Sequence, residues 1–319
     1  MKLERSIQDA RPVLAIDIGG SKLLCAVVDA SGHIYAKERK ALDSTFGFDE
    51  VWQIILQCAE KLKSYAPKGF SCIGVAIPGL ADPVNGIWLY SPFSGISNIP
   101  VASMLSEAFQ TPAFIENDVN ACALAERTFG RCTEIDDFLW VTVSNGIGGG
   151  VFAGGKLLRG ALGSAGEIGH VKVEYDDTKA IRCGCGGYGC VEAMAAGPGI
   201  VKRYRTTCPD ASALITARNI AALARNGNIH AIKIYEETGV YLGRAIAAAA
   251  NIVNPSAVIL GGGISNDFGL FADALESELK RQIFLQGNPS LRIDMTALGY
   301  DAALLGAAVV GYESPAVSL

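Results

Sequence analysis

Cys183, Cys185 and Cys190 place three thiols within eight residues, and His170 stands thirteen residues before the first of them. Three thiolates and one imidazole complete the closed tetrahedral shell of a structural zinc ion, leaving no position for water. Two other readings exist. Three small core residues sit poorly among so many glycines, and a disulfide leaves one thiol over. A second constellation is Asp17-Ile18-Gly19-Gly20-Ser21-Lys22. Glycines let backbone N–H groups approach phosphate oxygens closely. Ser21 adds a hydroxyl, Lys22 a charge, and Asp17 is placed to hold Mg2+ through water. Ser144-Asn145-Gly146-Ile147-Gly148 repeats the arrangement later in the chain. The plain alternative is a pair of hairpin turns. The third feature is Asp118, which follows a short strand and opens a helix. An acid there serves as a general base or as a helix cap.

The elements that carry these residues read as α/β. Val13–Asp17, Leu23–Asp29 and a strand from His33 form a meander with short turns. A helix over Phe48–Tyr65, a strand over Cys72–Ile77, a helix over Val101–Phe109, a strand over Ala113–Ile115 and a helix over Asn120–Phe129 follow. Phe138–Val143, a glycine turn over Gly146–Gly150 and a strand over Gly150–Ala153 repeat the opening. A helix over Gly239–Val253, a strand over Ala257–Leu260 and a last helix over Ala302–Tyr312 complete the pattern. The expected architecture is two similar lobes around a central cleft. Residues 1–118 form the first and 119–301 the larger second with the cysteine loop, while 302–319 pack back on the first.

The chain has 319 residues, of which 50% are hydrophobic and 18% charged, as in globular domains. Its net charge is −5 and it has no Lys/Arg run, which argues against a nucleic-acid partner. The N-terminus lacks a signal-peptide core, and the charge-free stretch 245–266 is broken by Asn, Pro and three glycines. A cytoplasmic protein without membrane contact is expected, and its remaining cysteines read as small core residues. No G-x-x-x-x-G-K-[ST] loop occurs, and Gly146-Ile147-Gly148-Gly149-Gly150 fails the G-x-G-x-x-G spacing because Val151 stands last.

These segments, in this order, closely resemble the ROK group of sugar kinases and repressors, within the actin-like (ribonuclease H-like), hexokinase-like superfamily. The resemblance runs over about residues 13–312. It rests on Leu14–Lys22, Pro78-Gly79, Glu116-Asn117-Asp118-Val119-Asn120-Ala121, the second glycine turn, Gly166-Glu167-Ile168-Gly169-His170, Cys183–Glu192 and Gly261-Gly262-Gly263-Ile264-Ser265. It implies an ATP-dependent sugar kinase with Mg2+ and structural Zn2+, acting as a homodimer on a small-molecule sugar. By the same resemblance Asp118 is the base. Gly79, Asn117, Asp118, Glu167, His170 and Glu192 contact the sugar. Asp17, Gly19, Gly20, Ser21, Lys22, Asn145, Gly146 and Gly148 hold phosphate and metal, and Gly261 and Gly262 line the adenosine side. Phe93 and Ile96 stand where many members carry Asn and Trp near the sugar, and Asn145 where Thr is usual. Hexoses and N-acetylhexosamines both stay open. Repressor members carry a winged helix-turn-helix ahead of the first glycine strand. Only twelve residues precede Val13 here, so the alternative is a non-catalytic sugar-binding regulator without that domain.

Overall fold

The computed structural model describes residues 11–43, 46–91 and 95–312. Two compact units divide the chain. The first takes the chain up to Glu134, the short segment Arg159–Ser164 and the chain from Tyr300 on. Its elements are β1 (Val13–Ile18), β2 (Lys22–Val28), β3 (Ile34–Ala41), α1 (Phe48–Leu62), β4 (Ile73–Ile77), β5 (Leu80–Asp82), β6 (Ile87–Tyr90), β7 (Ser97–Ile99), α2 (Val101–Phe109), β8 (Ala113–Asn117) and α3 (Asp118–Phe129). The main sheet has the order β3-β2-β1-β4-β8, antiparallel through the meander and parallel from β1 to β8.

Strand alternation sorts the side chains of this sheet between two layers. Leu14, Ile16 and Ile18 join Leu23, Cys25, Val27, Ile73, Val75 and Ile77 in the core under α1, whose Val51, Ile55, Cys58 and Leu62 recur at helical spacing. Asp17 and Gly74 belong to the opposite layer. There the C-terminal helix Ala302–Tyr312 lies so close that a Cβ on Gly74 would come within 1.8 Å of the Ala307 carbonyl oxygen. A Cβ on Gly306 would come within 1.9 Å of the Ala121 oxygen in α3. This contact explains why α3 and the C-terminal helix both belong to the first unit, rather than the chain dividing at residue 118. Gly74→Ala is therefore expected to cost on the order of 3 kcal/mol by overpacking. Gly269→Ala, where a Cβ meets nothing within 4 Å, should be neutral. Calorimetric melting of the two variants checks the contrast.

The second unit contains β9 (Phe138–Val143), β10 (Ile147–Ala153), β11 (Lys156–Leu157), α4 (Val191–Ala195), α5 (Gly197–Thr207), α6 (Ala217–Arg225), α7 (Ile229–Val253), β12 (Ala257–Gly261), α8 (Ala272–Gln282) and β13 (Arg292–Met295). Its sheet order, β11-β10-β9-β12-β13, repeats that of the first strand for strand. One sequence expectation is corrected and one sheet is new. The second glycine turn is confined to Ser144–Gly146, because Gly148, Gly149 and Gly150 pair with Thr142, Val141 and Trp140 inside β10. The small sheet β5-β6-β7 has no counterpart in the sequence reading. Phe93 lies outside the described residues. Ile96 is a core residue, 5% exposed, packed with the first unit's apolar cluster. Among the described residues no helix is long and apolar enough to cross a membrane.

Candidate active site

In the first unit, β1 ends on Asp17 and Ile18, and the hairpin of Gly19, Gly20 and Ser21 returns into β2, with the Gly19 N–H donating to the Lys22 carbonyl at 2.8 Å. Asp17 is only 6% exposed. Burial pushes its carboxyl up to about 6, Lys22 opposes the shift and Asp301 adds to it. A carboxylate so placed is short of positive charge, which fits a site for a cation. The Lys22 ammonium lies 5.8 Å over the Tyr300 ring, and Lys37 pairs with Asp301 at 2.7 Å.

Asn117 closes β8 and caps α3. Its side-chain oxygen accepts the N–H groups of Val119 and Asn120 at 2.9 and 3.1 Å. Its amide donates to the Gly79 carbonyl at 2.8 Å and to the Asp118 carboxylate at 3.1 Å. Gly79 sits at φ +85°, a conformation that glycine adopts without strain. Both N–H groups and both acceptor directions of Asn117 are thus engaged within the chain. The capping role that its type allows for Asp118 is filled by its neighbour, and Asp118 occupies the first helical position, half-buried. Asp118 and Asp17 both act on Cys122 of α3. Burial, then Asp118, then Asp17 drive that thiol well above its ordinary value. The candidate base and the candidate cation ligand therefore both act electrostatically on one buried side chain.

In the second unit the turn of Ser144, Asn145 and Gly146 meets two other elements. The Gly197 N–H at the start of α5 donates to the Ser144 carbonyl at 2.8 Å, and the Ile264 N–H donates to Val143 at 3.0 Å. Gly262, at φ +91°, lies where a Cβ would come within 2.5 Å of the Val143 oxygen. The Gly261–Gly262 loop, the second turn and the start of α5 are therefore neighbours.

The cysteine segment packs beside the same turn. Cys185 Sγ and Cys190 Sγ are 3.8 Å apart, and Cys183 Sγ and His170 Nδ1 are 3.6 Å apart. All four donor atoms lie within 4.8 Å of one another. A zinc–sulfur bond of about 2.3 Å gives tetrahedral edges of about 3.8 Å, so the donor set fits this ion. The other His170 nitrogen, Nε2, faces Glu167 at 3.8 Å. Glu192, two residues after Cys190, accepts the Ile147 N–H at 3.0 Å, and its other oxygen lies 3.9 Å from Cys183 Sγ.

Residues 13–313 match the pattern of the ROK family. The chain belongs to the ROK family. This ROK chain is 29% identical over 300 residues to the xylose repressor of Bacillus subtilis strain 168, covering 92% of this chain and 75% of the repressor. It superposes on the ROK hexokinase from Thermus thermophilus with a TM-score of 0.81 at 32% identity, over 94% of this chain and 98% of the hexokinase. For the ROK glucokinase from Streptomyces griseus, in complex with glucose and AMPPNP, the TM-score is 0.82 at 28% identity, over 95% and 100% of the two chains. The repeated sheet order of this ROK chain is that of an actin-like fold. Sequence reasoning passed over Glu116 and Arg159, which pair at 2.7 Å beside Asp118. Only the buried position of Glu116 in the motif pointed to them.

Proposed function

We propose that this protein transfers the γ-phosphoryl group of ATP to a hydroxyl of a hexose or an N-acetylhexosamine. The observation that carries the reading is that Asn117 caps α3 and donates its amide to the carboxylate of Asp118, holding an acid at the first position of the helix. Phosphoryl transfer asks the protein for alignment and for charge stabilisation more than for covalent chemistry. Asp118 accepts the proton of the attacking hydroxyl. Glu167, His170 and Glu192 read the sugar's hydroxyls, and Asn117 with Gly79 fixes the strand-to-helix junction. The first turn, Gly19, Gly20 and Ser21, with Lys22 at the start of β2, and the second, Asn145 and Gly146, with Gly148 next to it in β10, would line the phosphates, with Gly261 and Gly262 on the adenosine side. Asp17 would hold Mg2+, which supplies neutralisation of phosphate charge. Cys183, Cys185, Cys190 and His170 would hold zinc, which supplies rigidity to Glu167 and Glu192. A homodimer without nucleic-acid affinity completes the reading.

The test is ADP release across a panel of hexoses and N-acetylhexosamines. Turnover with one of them is expected. The repressor relatives favour a second reading, a sugar-binding regulator that does not turn over. Sugar binding by calorimetry with no ADP released from any sugar would establish that alternative.

Asp17 carries a pH prediction. Its folded value of about 6 lies above the ordinary 3.8, so ionisation opposes folding. The unfavourable contribution is absent below about pH 4, grows as pH rises through 6 and is complete above it. A shift of about two units corresponds to roughly 3 kcal/mol. Asp17→Asn should therefore melt several degrees higher than wild type at pH 7.5 in the absence of Mg2+, with the gap closing near pH 4. A gap that stays constant across this range would contradict the assignment.

A further inference from the structure

We propose that Arg159 is a positioning residue for phosphoryl transfer, acting on Asp118 through Glu116; this rests on the kinase reading above. Glu116 is the penultimate residue of β8 and is 2% exposed. One carboxylate oxygen accepts the Asn117 N–H at 3.0 Å and the Asn120 side-chain amide at 3.2 Å. The other accepts Nε of Arg159 at 2.7 Å. The carboxylate therefore grips the chain on both sides of Asp118. Asn117, held by Glu116 through its backbone, donates its own amide to the Asp118 carboxylate. Asn120 is 2% exposed and its side-chain oxygen is without a hydrogen-bond partner, so the bond to Glu116 is what orients that amide.

A carboxylate this deeply buried is stable in its charged form only beside a cation. Arg159 is that cation, and the route by which it arrives is informative. It opens Arg159–Ser164, a segment of the first unit whose flanking chain on both sides belongs to the second. The segment is anchored at its other end too. Gly163, at φ +76°, comes so near β5 that a Cβ would lie 3.0 Å from the Ala81 oxygen. The excursion thus delivers one guanidinium to the underside of the β8–α3 junction. Without it, Glu116 is a buried carboxylate that has lost its ion-pair partner, and the hold on Asn117 and Asn120 loosens. A displacement of about 1 Å at a reacting group is enough to cost a large rate factor.

Arg159→Ala is expected to lower kcat about tenfold while the sugar KM changes less than threefold, because Glu167, His170 and Glu192 are untouched. Millimolar methylguanidinium should restore several-fold of the lost kcat in Arg159→Ala and do nothing for wild type. A purely structural ion pair would give no such recovery in a variant assayed well below its melting temperature. Wild-type kcat in Arg159→Ala, or a lost kcat that methylguanidinium does not raise, overturns the assignment. If Arg159→Ala does not fold, the double variant Glu116→Gln/Arg159→Met removes both charges together. It should melt near wild type with kcat about tenfold down, and wild-type kcat there overturns the proposal. A wild-type protein that releases no ADP with any sugar overturns the kinase reading and this role with it. An active wild type beside a fully active Arg159→Ala overturns the role alone.

Discussion

Asp118→Asn is expected to lower kcat by at least about a hundredfold, the lower end of what a positioned general base contributes. The melting temperature should stay near that of wild type. An amide at this position still accepts the Val119 N–H, which the carboxylate takes at 3.0 Å, and keeps a partner for the Asn117 amide. What it loses is the capacity to receive a proton. Affinity for sugar should change far less than turnover, since Glu167, His170 and Glu192 belong to other elements. Asn117→Ala supplies the opposite signature. Asn117 is the cap of α3, so its loss costs about 1 kcal/mol of stability and also frees Asp118. Stability and turnover then fall together, whereas Asp118→Asn separates them. Activity within a few fold of wild type in Asp118→Asn, on whichever sugar proves to be the substrate, would remove Asp118 from the mechanism.

The elements that position Asp118 and the glycine turns were legible because their signals are local. Apolar runs ending at Asp17 and Val143 mark buried strands, and Pro78-Gly79 marks a chain reversal. Val101–Phe109 and Ala302–Tyr312 were read as helices, and both occur with those bounds. Asn117 and Asp118 are both good cap residues, so the sequence left their division of labour open. It is decided by Gly79, 38 residues upstream, whose carbonyl takes the Asn117 amide. The first ten residues of α7 were missed because Ile229–Thr238 mixes charges into its apolar stripe, while the alanine-rich end does not. The sheet β5-β6-β7 consists of strands of three or four residues, too short for alternation to show. Arg159 is a lone basic residue in a glycine-rich stretch. Its partner lies 43 residues away, so only the fold connects them.

Protein purified without chelator is expected to carry about one zinc per chain, and Cys185→Ser to lose it. The variant is informative because Cys185 is exposed, whereas Cys183 and Cys190 are each 5% exposed. Replacing an exposed thiol by a hydroxyl in a metal-free loop changes stability by about half a kcal/mol or less. Replacing a zinc ligand removes part of a binding energy that is itself folding energy, about 10–16 kcal/mol in small zinc peptides. A loss of several kcal/mol in Cys185→Ser therefore separates the two cases. The damage should spread in a defined direction. His170 follows Gly169, where a Cβ would come within 2.0 Å of the Ile147 oxygen, and a Cβ on Gly166 would come within 2.1 Å of the Gly149 oxygen. On the other side Cys190 leads into α4, and Glu192 holds the Ile147 N–H. Both arms of the cluster thus brace the first residues of β10, directly after the turn of Ser144, Asn145 and Gly146. Loss of the metal should weaken binding of a non-hydrolysable ATP analogue along with binding of sugar, each at least about tenfold by calorimetry. A metal that served the sugar residues alone would leave the nucleotide affinity intact. Protein without zinc by elemental analysis, together with a Cys185→Ser variant that melts and binds like wild type, would remove the metal from the account.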